Sequence, residues 1–317
     1  MHLIGHSTIS ILIILLYICY VFPAQISDTS TTPPPEVTES TGDMKYVYIP
    51  EDEYVQGPYD FAGDPCSSAA TYEGDIGLGI MVNPITNTSY ILLPSQGTPG
   101  GRDRRGATAN PNKLWPNALV PYAFHSSIAD SVRGNIIYAM KHWEELTCIR
   151  FTARTTEYNY IEFFKGAGCC SFIGRLNLGR QYISIGQYCN YFSSITHEIG
   201  HSVGFWHEMN RPDRDEYIQV NFENIPTYLQ HNFGKLPYYH IDSRGVTYDY
   251  NSVMHYTGKA FSINGKDTIE ALEPGIPIGP EYGLSQLDAL QANLMYSCSS
   301  KLYIIIYTVG YRDMNMS

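Results

Sequence analysis

The chain has few basic side chains for its length. It carries 20 Lys and Arg residues against 31 Asp and Glu residues in a total of 317, which gives a formal net charge of −11 at pH 7. Proteins that bind nucleic acids neutralise the backbone phosphates with Lys and Arg. The composition therefore argues against nucleic-acid binding by general electrostatics.

Long hydrophobic runs are also missing. The apolar run 9–21 is too short for a membrane-spanning helix but has the length of a secretory signal core. We interpret residues 1–24 as a signal peptide and expect a secreted, extracellular protein. No Lys or Arg precedes the run, so an uncleaved anchor is the alternative. The short tail 300–317 contains only six consecutive apolar residues, and no stable membrane association is expected.

Residues 25–105 differ in composition from the rest of the chain. Residues 25–43 are rich in Thr, Ser and Pro and are predicted to be disordered. The segment 25–105 carries 12 carboxylates and four basic residues, a net charge of −8, and it ends in an Arg-x-Arg-Arg cluster. The cluster Arg102, Arg104 and Arg105 is either a solvated charge run or a site for a furin-like processing protease. The charge contrast favours a propeptide that is removed by cleavage after Arg105.

One segment has the pattern HExxHxxGxxH. His197 and His201 are four residues apart, so on a helix they lie on one face. Gly204 permits a left-handed turn that ends the helix and returns His207 to the same place. Three imidazoles with an open position for water are typical of catalytic zinc, and Glu198 lies beside the first of them. The pattern predicts one Zn²⁺ per chain; the alternative is a degenerate site without activity.

Hydrophobic periodicity predicts an α+β fold. An amphipathic helix is expected over 131–146, strands over 161–164 and 182–185, and a second helix over 191–203. The chain after the third histidine lacks periodicity, so it is expected to be irregular until a C-terminal helix over 284–296. The residues expected to face inward from that last helix are Leu287, Leu290, Leu294 and Met295.

The motif continues into features that resemble the astacin metalloproteases, a metzincin family. These are Phe-Trp-His-Glu at 205–208, Arg-Pro-Asp-Arg-Asp at 211–215 and a methionine turn at 252–256. Gly-Cys-Cys-Ser at 168–171 is similar to the tolloid and procollagen C-proteinase branch. The resemblance predicts a catalytic domain over 106–299 of the metzincin fold. That fold has a mostly parallel sheet with an edge strand and two long helices in its N-terminal half. Its C-terminal half is irregular with a final helix, and a cleft lies between the halves.

The resemblance also implies a role for each residue of the site. The three histidines would hold zinc, and Glu198 would be the general base that activates water. Met254 would form an apolar floor below the metal. Tyr256 would stabilise the oxyanion of the transition state, whereas the alternative is an ordinary surface tyrosine.

The family is made as a latent proenzyme, and the corresponding residues are present here. The ammonium of Gly106, created by cleavage after Arg105, would pair with Glu208. An aspartate of the propeptide would occupy the zinc until then. Two Gly-Asp sequences are candidates, and their surroundings favour Asp75 over Asp64.

Secretion permits disulfides among the six cysteines that follow the signal peptide. The resemblance implies the pairs Cys148–Cys298 and Cys169–Cys189. It then leaves Cys170 unpaired in the mature domain, with the connectivity around the cleft open. Asn87 lies in an Asn-x-Ser sequence and is a candidate glycan acceptor.

The expected partners are extracellular protein substrates, such as matrix proteins or growth-factor antagonists, and a furin-like processing protease. Tolloid-type enzymes have a basic residue in the segment that matches 277–283, where this chain has none, so Arg175 and Arg180 are candidates to replace it. A different class of function is a catalytically impaired or decoy module that retains the fold only as a binding surface.

Overall fold

The computed structural model describes residues 71–72, 76–77, 80–82, 89–91, 107–238, 240–280 and 282–298. In these ranges no helix is both long enough and apolar enough to span a bilayer. The predicted signal peptide, the predicted disordered stretch and the tail lie outside the described residues.

Four short strands precede the catalytic domain. They are β1 (Thr71–Tyr72), β2 (Ile76–Gly77), β3 (Ile80–Val82) and β4 (Ser89–Ile91). The strands pair in sequence as two antiparallel hairpins, β1 with β2 and β3 with β4. The backbone of Ile76 also forms a parallel bridge to Ser171 of the catalytic domain. This part of the predicted propeptide is therefore docked on the domain that follows it.

The main sheet belongs to the N-terminal half of the domain. After β5 (Ala107–Thr108) come β6 (Leu119–Phe124), β7 (Arg150–Ala153), β8 (Tyr160–Phe164), β9 (Cys169–Cys170) and β10 (Arg180–Ile185). The strand order is β7-β6-β8-β10-β9. The first four are parallel, and β9 is antiparallel to β10. The predicted mostly parallel sheet with one antiparallel edge strand is confirmed.

Two long helices pack against this sheet. Helix α1 spans Asp130–Leu146 and helix α2 spans Phe192–Val203, each within one residue of its predicted start. The α1 residues that are buried, Ile136, Ala139, Met140 and Trp143, follow the predicted helical spacing. They belong to one apolar core with residues of α2 and the sheet, so the sheet and α1 together fix where α2 lies.

The C-terminal half is largely irregular, as predicted. Its regular elements are β11 (Ile218–Val220), β12 (Ile241–Asp242), β13 (Ile269–Ala271) and helix α3 (Gln286–Met295), together with several short 3₁₀ turns. Strand β12 pairs with β5, and β11 pairs with β13. Because β5 begins the domain, its pairing with β12 joins the two halves.

The inward face of α3 differs from the prediction. Met295 is buried, but the three leucines are only half-buried, and polar residues take their place: Asp288, Gln291 and Asn293. The Asn293 amide donates to the carbonyl of Leu146 at 2.9 Å and accepts from the N–H of Cys148 at 3.2 Å. The helix is thus held by hydrogen bonds to buried backbone, a role that apolar periodicity does not indicate. The predicted disulfide Cys148–Cys298 is present beside it.

Candidate metal centre

Helix α2 carries two of the three predicted ligands. His197 and His201 lie one turn apart on it, and His201 is fully buried. Gly204 ends the helix with a φ of 117°, and its N–H donates to the carbonyls of Gly200 and His201. A residue with a Cβ is strained at such a φ. The predicted left-handed turn is present, and it returns His207 toward the helix.

The three imidazoles converge. Their ligand atoms lie within 4.8 Å of one another, and Nε2 of His207 is 3.3 Å from Nε2 of His197. Nδ1 of His197 contacts the carbonyl of Val253 at 2.7 Å, and Nδ1 of His201 contacts that of Phe205 at 2.9 Å. Because a carbonyl only accepts, both Nδ1 atoms carry the proton, and each Nε2 keeps its lone pair for the centre. Three converging imidazole nitrogens fit zinc.

The two predicted catalytic side chains lie at the same place. Glu198 is buried on α2, one position after the first ligand. The ring of Tyr256 lies 4.8 Å from that of His207, between centroids, and also packs on Phe233 and Phe261. Tyr256 is half-buried in this aromatic cluster, which does not fit an ordinary surface tyrosine.

Met254 packs directly against the ligand helix. A Cβ built on Gly200 would lie 2.6 Å from the sulfur of Met254 and 3.5 Å from the ring of Trp143. Met254 is itself almost fully buried. The methionine can therefore approach the helix only because residue 200 has no side chain. No local sequence pattern marks Gly200 for this role, since it occupies an ordinary position inside a helix.

A buried carboxylate holds the methionine turn in place. Asp288 accepts hydrogen bonds from the hydroxyl of Ser252 at 2.6 Å and from the N–H of Val253 at 2.8 Å. The carbonyl of the same Val253 accepts from His197. Asp288 and Ser285 also form a capping box at the start of α3. The Ser-x-x-Asp spacing is the sequence signal that could have located this residue, which the prediction missed.

Glu208 has a partner before any cleavage. Its carboxylate accepts from Arg211 at 2.8 Å and from the backbone N–H of Asp249 at 2.9 Å, and Arg211 also pairs with Asp213 at 2.8 Å. Burial raises the pKa of Glu208 to about 7, against the opposing effect of the guanidinium. Glu208 thus has a buried ion-pair partner in the uncut chain, which was not predicted from the sequence.

The two adjacent cysteines near the cleft, Cys169 and Cys170, are both disulfide-bonded. The structure contains the predicted disulfide Cys169–Cys189. Cys170 is also disulfide-bonded, so the free thiol expected there is not found in the full-length chain. Adjacent residues of a strand point to opposite faces, which allows Cys169 and Cys170 to bond different partners.

Several predicted residues lie outside the described residues, and the structure does not place them. They are Asp75, Asp64, Gly106, Arg102, Arg104, Arg105 and Asn87. Two arginines considered for substrate recognition are described. Arg175 donates to the carbonyls of Leu114 and Asn112, and Arg180 pairs with Glu162 at 3.3 Å.

A ligand helix with two histidines, a third histidine after a glycine turn and a methionine beneath them define a zinc metalloendopeptidase domain. The sequence model of the astacin peptidase family matches residues 107–297. The chain belongs to the astacin family, and zinc is the metal that this family implies.

Individual relatives agree with this assignment. Blastula protease 10 of Paracentrotus lividus is 44% identical over 62% of this chain and 34% of that protein. Bone morphogenetic protein 1 of Xenopus laevis is 36% identical over 80% of this chain and 40% of that protein. Tolloid-like protein 2 of Mus musculus is 36% identical over 78% of this chain and 25% of that protein. These matches support the tolloid branch, although the chain spans less than half the length of each relative.

A solved structure has the same fold. It is the high choriolytic enzyme 1, a hatching enzyme zinc-protease from Oryzias latipes, with 38% identity and a TM-score of 0.55. The match covers 58% of this chain and 93% of that chain. The α+β metzincin fold predicted from the sequence is confirmed.

The contact between Gly200 and Met254 can be tested with a matched pair of helix substitutions. Gly200→Ala should lower stability by about 1–3 kcal/mol, because its Cβ overpacks against Met254, and should weaken zinc binding. Gly134→Ala, exposed in α1 with no atom within 4 Å of the new Cβ, should instead raise stability by about 0.5–1 kcal/mol. Denaturant unfolding and zinc competition with a chelator measure both. Equal effects of the two substitutions would contradict the packing argument.

Proposed function

We propose that this chain is a secreted zinc-dependent endopeptidase, made as a latent proenzyme and activated by cleavage after Arg105. It hydrolyses peptide bonds in extracellular proteins, such as matrix proteins or growth-factor antagonists. The convergence of three imidazoles with Glu198 and Tyr256 at one site carries the proposal. The alternative is an inactive decoy module. No catalytic residue of the motif has been replaced, so nothing in the sequence favours this alternative.

One zinc ion per chain would be held by His197, His201 and His207. Bound there, it would supply Lewis acidity, which lowers the pKa of water and polarises a carbonyl. Glu198 takes the proton from the attacking water and delivers it to the leaving amine. The Tyr256 hydroxyl donates to the oxygen of the scissile carbonyl as that oxygen gains charge.

The disulfides support secretion. Cys148–Cys298, Cys169–Cys189 and a third disulfide at Cys170 occur in the described part of the chain. Such bonds form and persist in oxidising compartments and are rare in the cytosol. The proposed route is therefore a signal peptide over 1–24, then a furin-like cut after the propeptide 25–105.

Latency is supported by where the propeptide docks. Ile76 is buried, its backbone bridges Ser171 beside the edge strand β9, and its side chain packs in a cluster with Trp206, the residue before the third histidine. An extended segment that binds at a sheet edge occupies the place that an extended substrate would use. Asp75 directly precedes Ile76, so this docking supports Asp75 rather than Asp64 as the carboxylate that reaches the metal.

Activation is supported by an excess of buried carboxyl groups. Glu208, Asp213 and Asp249 are all buried around the single guanidinium of Arg211. A second cation would offset this imbalance. Cleavage after Arg105 supplies one on Gly106.

The start of the domain packs against the segment that leads to that cluster. Ala107, the residue after the new terminus, is fully buried and its backbone bridges Phe205, three residues before Glu208. Consecutive Cα atoms are about 3.8 Å apart, so the new ammonium would form within one residue of this buried strand. The proposed ion pair between the Gly106 ammonium and Glu208 would therefore form in addition to the ion pair between Arg211 and Glu208.

The catalytic role of Glu198 can be separated from metal binding. In mature enzyme freed of its propeptide, Glu198→Gln should lower turnover of a protein substrate by about 10²–10⁴-fold. The zinc content should not change, because Glu198 is not a ligand. The exposed Glu223→Gln serves as the control and should have normal activity. A chelator should abolish activity, and added zinc should restore it. Substantial chelator-resistant cleavage would contradict the metal-dependent mechanism.

The inhibitory aspartate can be identified in proenzyme that cannot be processed. In an Arg105→Ala background, Asp75→Asn should show spontaneous activity on a short peptide, since an amide binds zinc more weakly than a carboxylate. Asp64→Asn should remain as latent as the parent. A latent Asp75→Asn together with an active Asp64→Asn would reverse the assignment.

The pairing of Gly106 with Glu208 can be tested by a cycle of cleavage and substitution. Proteins carrying Glu198→Gln, to prevent autolysis, are compared with and without Glu208→Gln, before and after the cut. The cut should raise the thermal midpoint only when Glu208 is present, because the new ammonium then gains a buried partner. The same shift with Glu208→Gln would show that the two groups do not pair.

A further inference from the structure

Cys170 has a bonding partner that lies outside the catalytic domain. It is disulfide-bonded and almost fully buried on β9. The other four described cysteines are consumed by Cys148–Cys298 and Cys169–Cys189. The chain has seven cysteines, so the partner is Cys19 or Cys66. Cys19 belongs to the predicted signal peptide, which leaves Cys66 of the propeptide.

The described backbone brings the propeptide to the right place. Ile76 bridges Ser171, the residue next to Cys170. Strands β1 and β2 form a hairpin that pairs Thr71 with Gly77, so Thr71 lies close to this contact. Five residues separate positions 66 and 71, a span of at most about 18 Å when extended. Cys66 can therefore reach the edge strand, as a disulfide requires Cα atoms about 4.4–6.8 Å apart.

We propose that Cys66 and Cys170 form a disulfide that tethers the propeptide to the edge strand and keeps the enzyme latent after the cut at Arg105. The proposal rests on the proposed function as a latent peptidase and adds a second, redox-controlled step to activation. Cleavage of one peptide bond leaves the propeptide attached through sulfur. An attached inhibitor stays at a high effective concentration, so it rebinds the cleft rather than diffusing away.

Release requires a dithiol reductant, of the class of extracellular thiol oxidoreductases. One of its thiolates attacks the sulfur of Cys66, the sulfur–sulfur bond breaks, and Cys170 leaves as a thiolate that takes up a proton. The second thiol of the reductant then displaces Cys66 as a thiol. Two electrons pass to the two cysteines, and the reductant ends as a disulfide.

The bond itself is tested without measuring activity. Full-length secreted protein is cut by a furin-type protease, treated with a thiol-blocking agent and run on gels with and without reductant. The propeptide and the catalytic domain should migrate together without reductant and separate with it. Mass spectrometry of unreduced peptides should show one peptide linked through Cys66 and Cys170. Separation of the fragments without reductant would overturn the proposal while leaving the peptidase function intact.

The effect of the disulfide on latency is tested with a variant that carries both Cys66→Ser and Cys170→Ser. Replacing both cysteines leaves neither of them as an unpaired thiol. After the cut, wild-type protein should gain at least about tenfold activity on addition of reduced thioredoxin, a dithiol protein, in zinc-containing buffer. The double variant should be active directly after the cut, and its activity should not change when the reductant is added. This unchanged activity also shows that the reductant does not inhibit the enzyme. Mass spectrometry checks that the other two disulfides stay intact. Full activity of cut wild-type protein before any thiol is added would overturn the redox step.

Discussion

Two backbone carbonyls determine the chemistry of this domain. Val253 and Phe205 each accept a hydrogen bond from Nδ1 of a ligand histidine, which fixes both the orientation and the tautomer of the ring. Phe205 is close in sequence to the helix it serves, because the chain turns at Gly204. Val253 is 56 residues from His197 and belongs to the other half of the domain. The metal centre therefore exists only when the two halves are packed together.

The packing of the two halves explains why polar residues that are not metal ligands are buried in the C-terminal helix. Asp288 holds the methionine turn, and Asn293 fastens the same helix to the end of α1 beside the disulfide Cys148–Cys298. Gly200 leaves the space that Met254 fills. The contacts of Asp288 with the methionine turn and of Gly200 with Met254 each join an irregular segment to a helix. Since irregular backbone gains little from local hydrogen bonds, such long-range contacts set its position.

Local sequence patterns predicted the regular half of the fold well. The helical spacing in α1 and the histidine motif in α2 arise from interactions three or four residues apart, which periodicity reports directly. The face of α3 was predicted wrongly because its buried groups are polar and act over long sequence distances. The bond at Cys170 was missed for the same reason, because no local pattern identifies its partner. Arg211 is only three residues from Glu208, but the pair lies at a short 3₁₀ turn, for which α-helical spacing gives no expectation.

The predicted propeptide meets the domain at the edge of the main sheet. Ile76 docks beside the edge strand β9, which also carries Cys170, so one element receives the propeptide through backbone and, in our proposal, through sulfur. In the proposed activation, the buried start of the domain at Ala107 joins the cleavage site to the segment that leads to Glu208. In the proposed function, latency therefore acts at the edge strand β9 and activation at the first strand of the domain, β5.

The proposal that the three imidazoles hold one zinc ion is tested most directly by counting the metal. Elemental analysis of the purified mature enzyme should give one zinc per chain. It should give almost none for His201→Ala, in which a fully buried ligand is removed. Protein that is active without zinc, or a His201→Ala variant that keeps a full equivalent of zinc, would contradict the account.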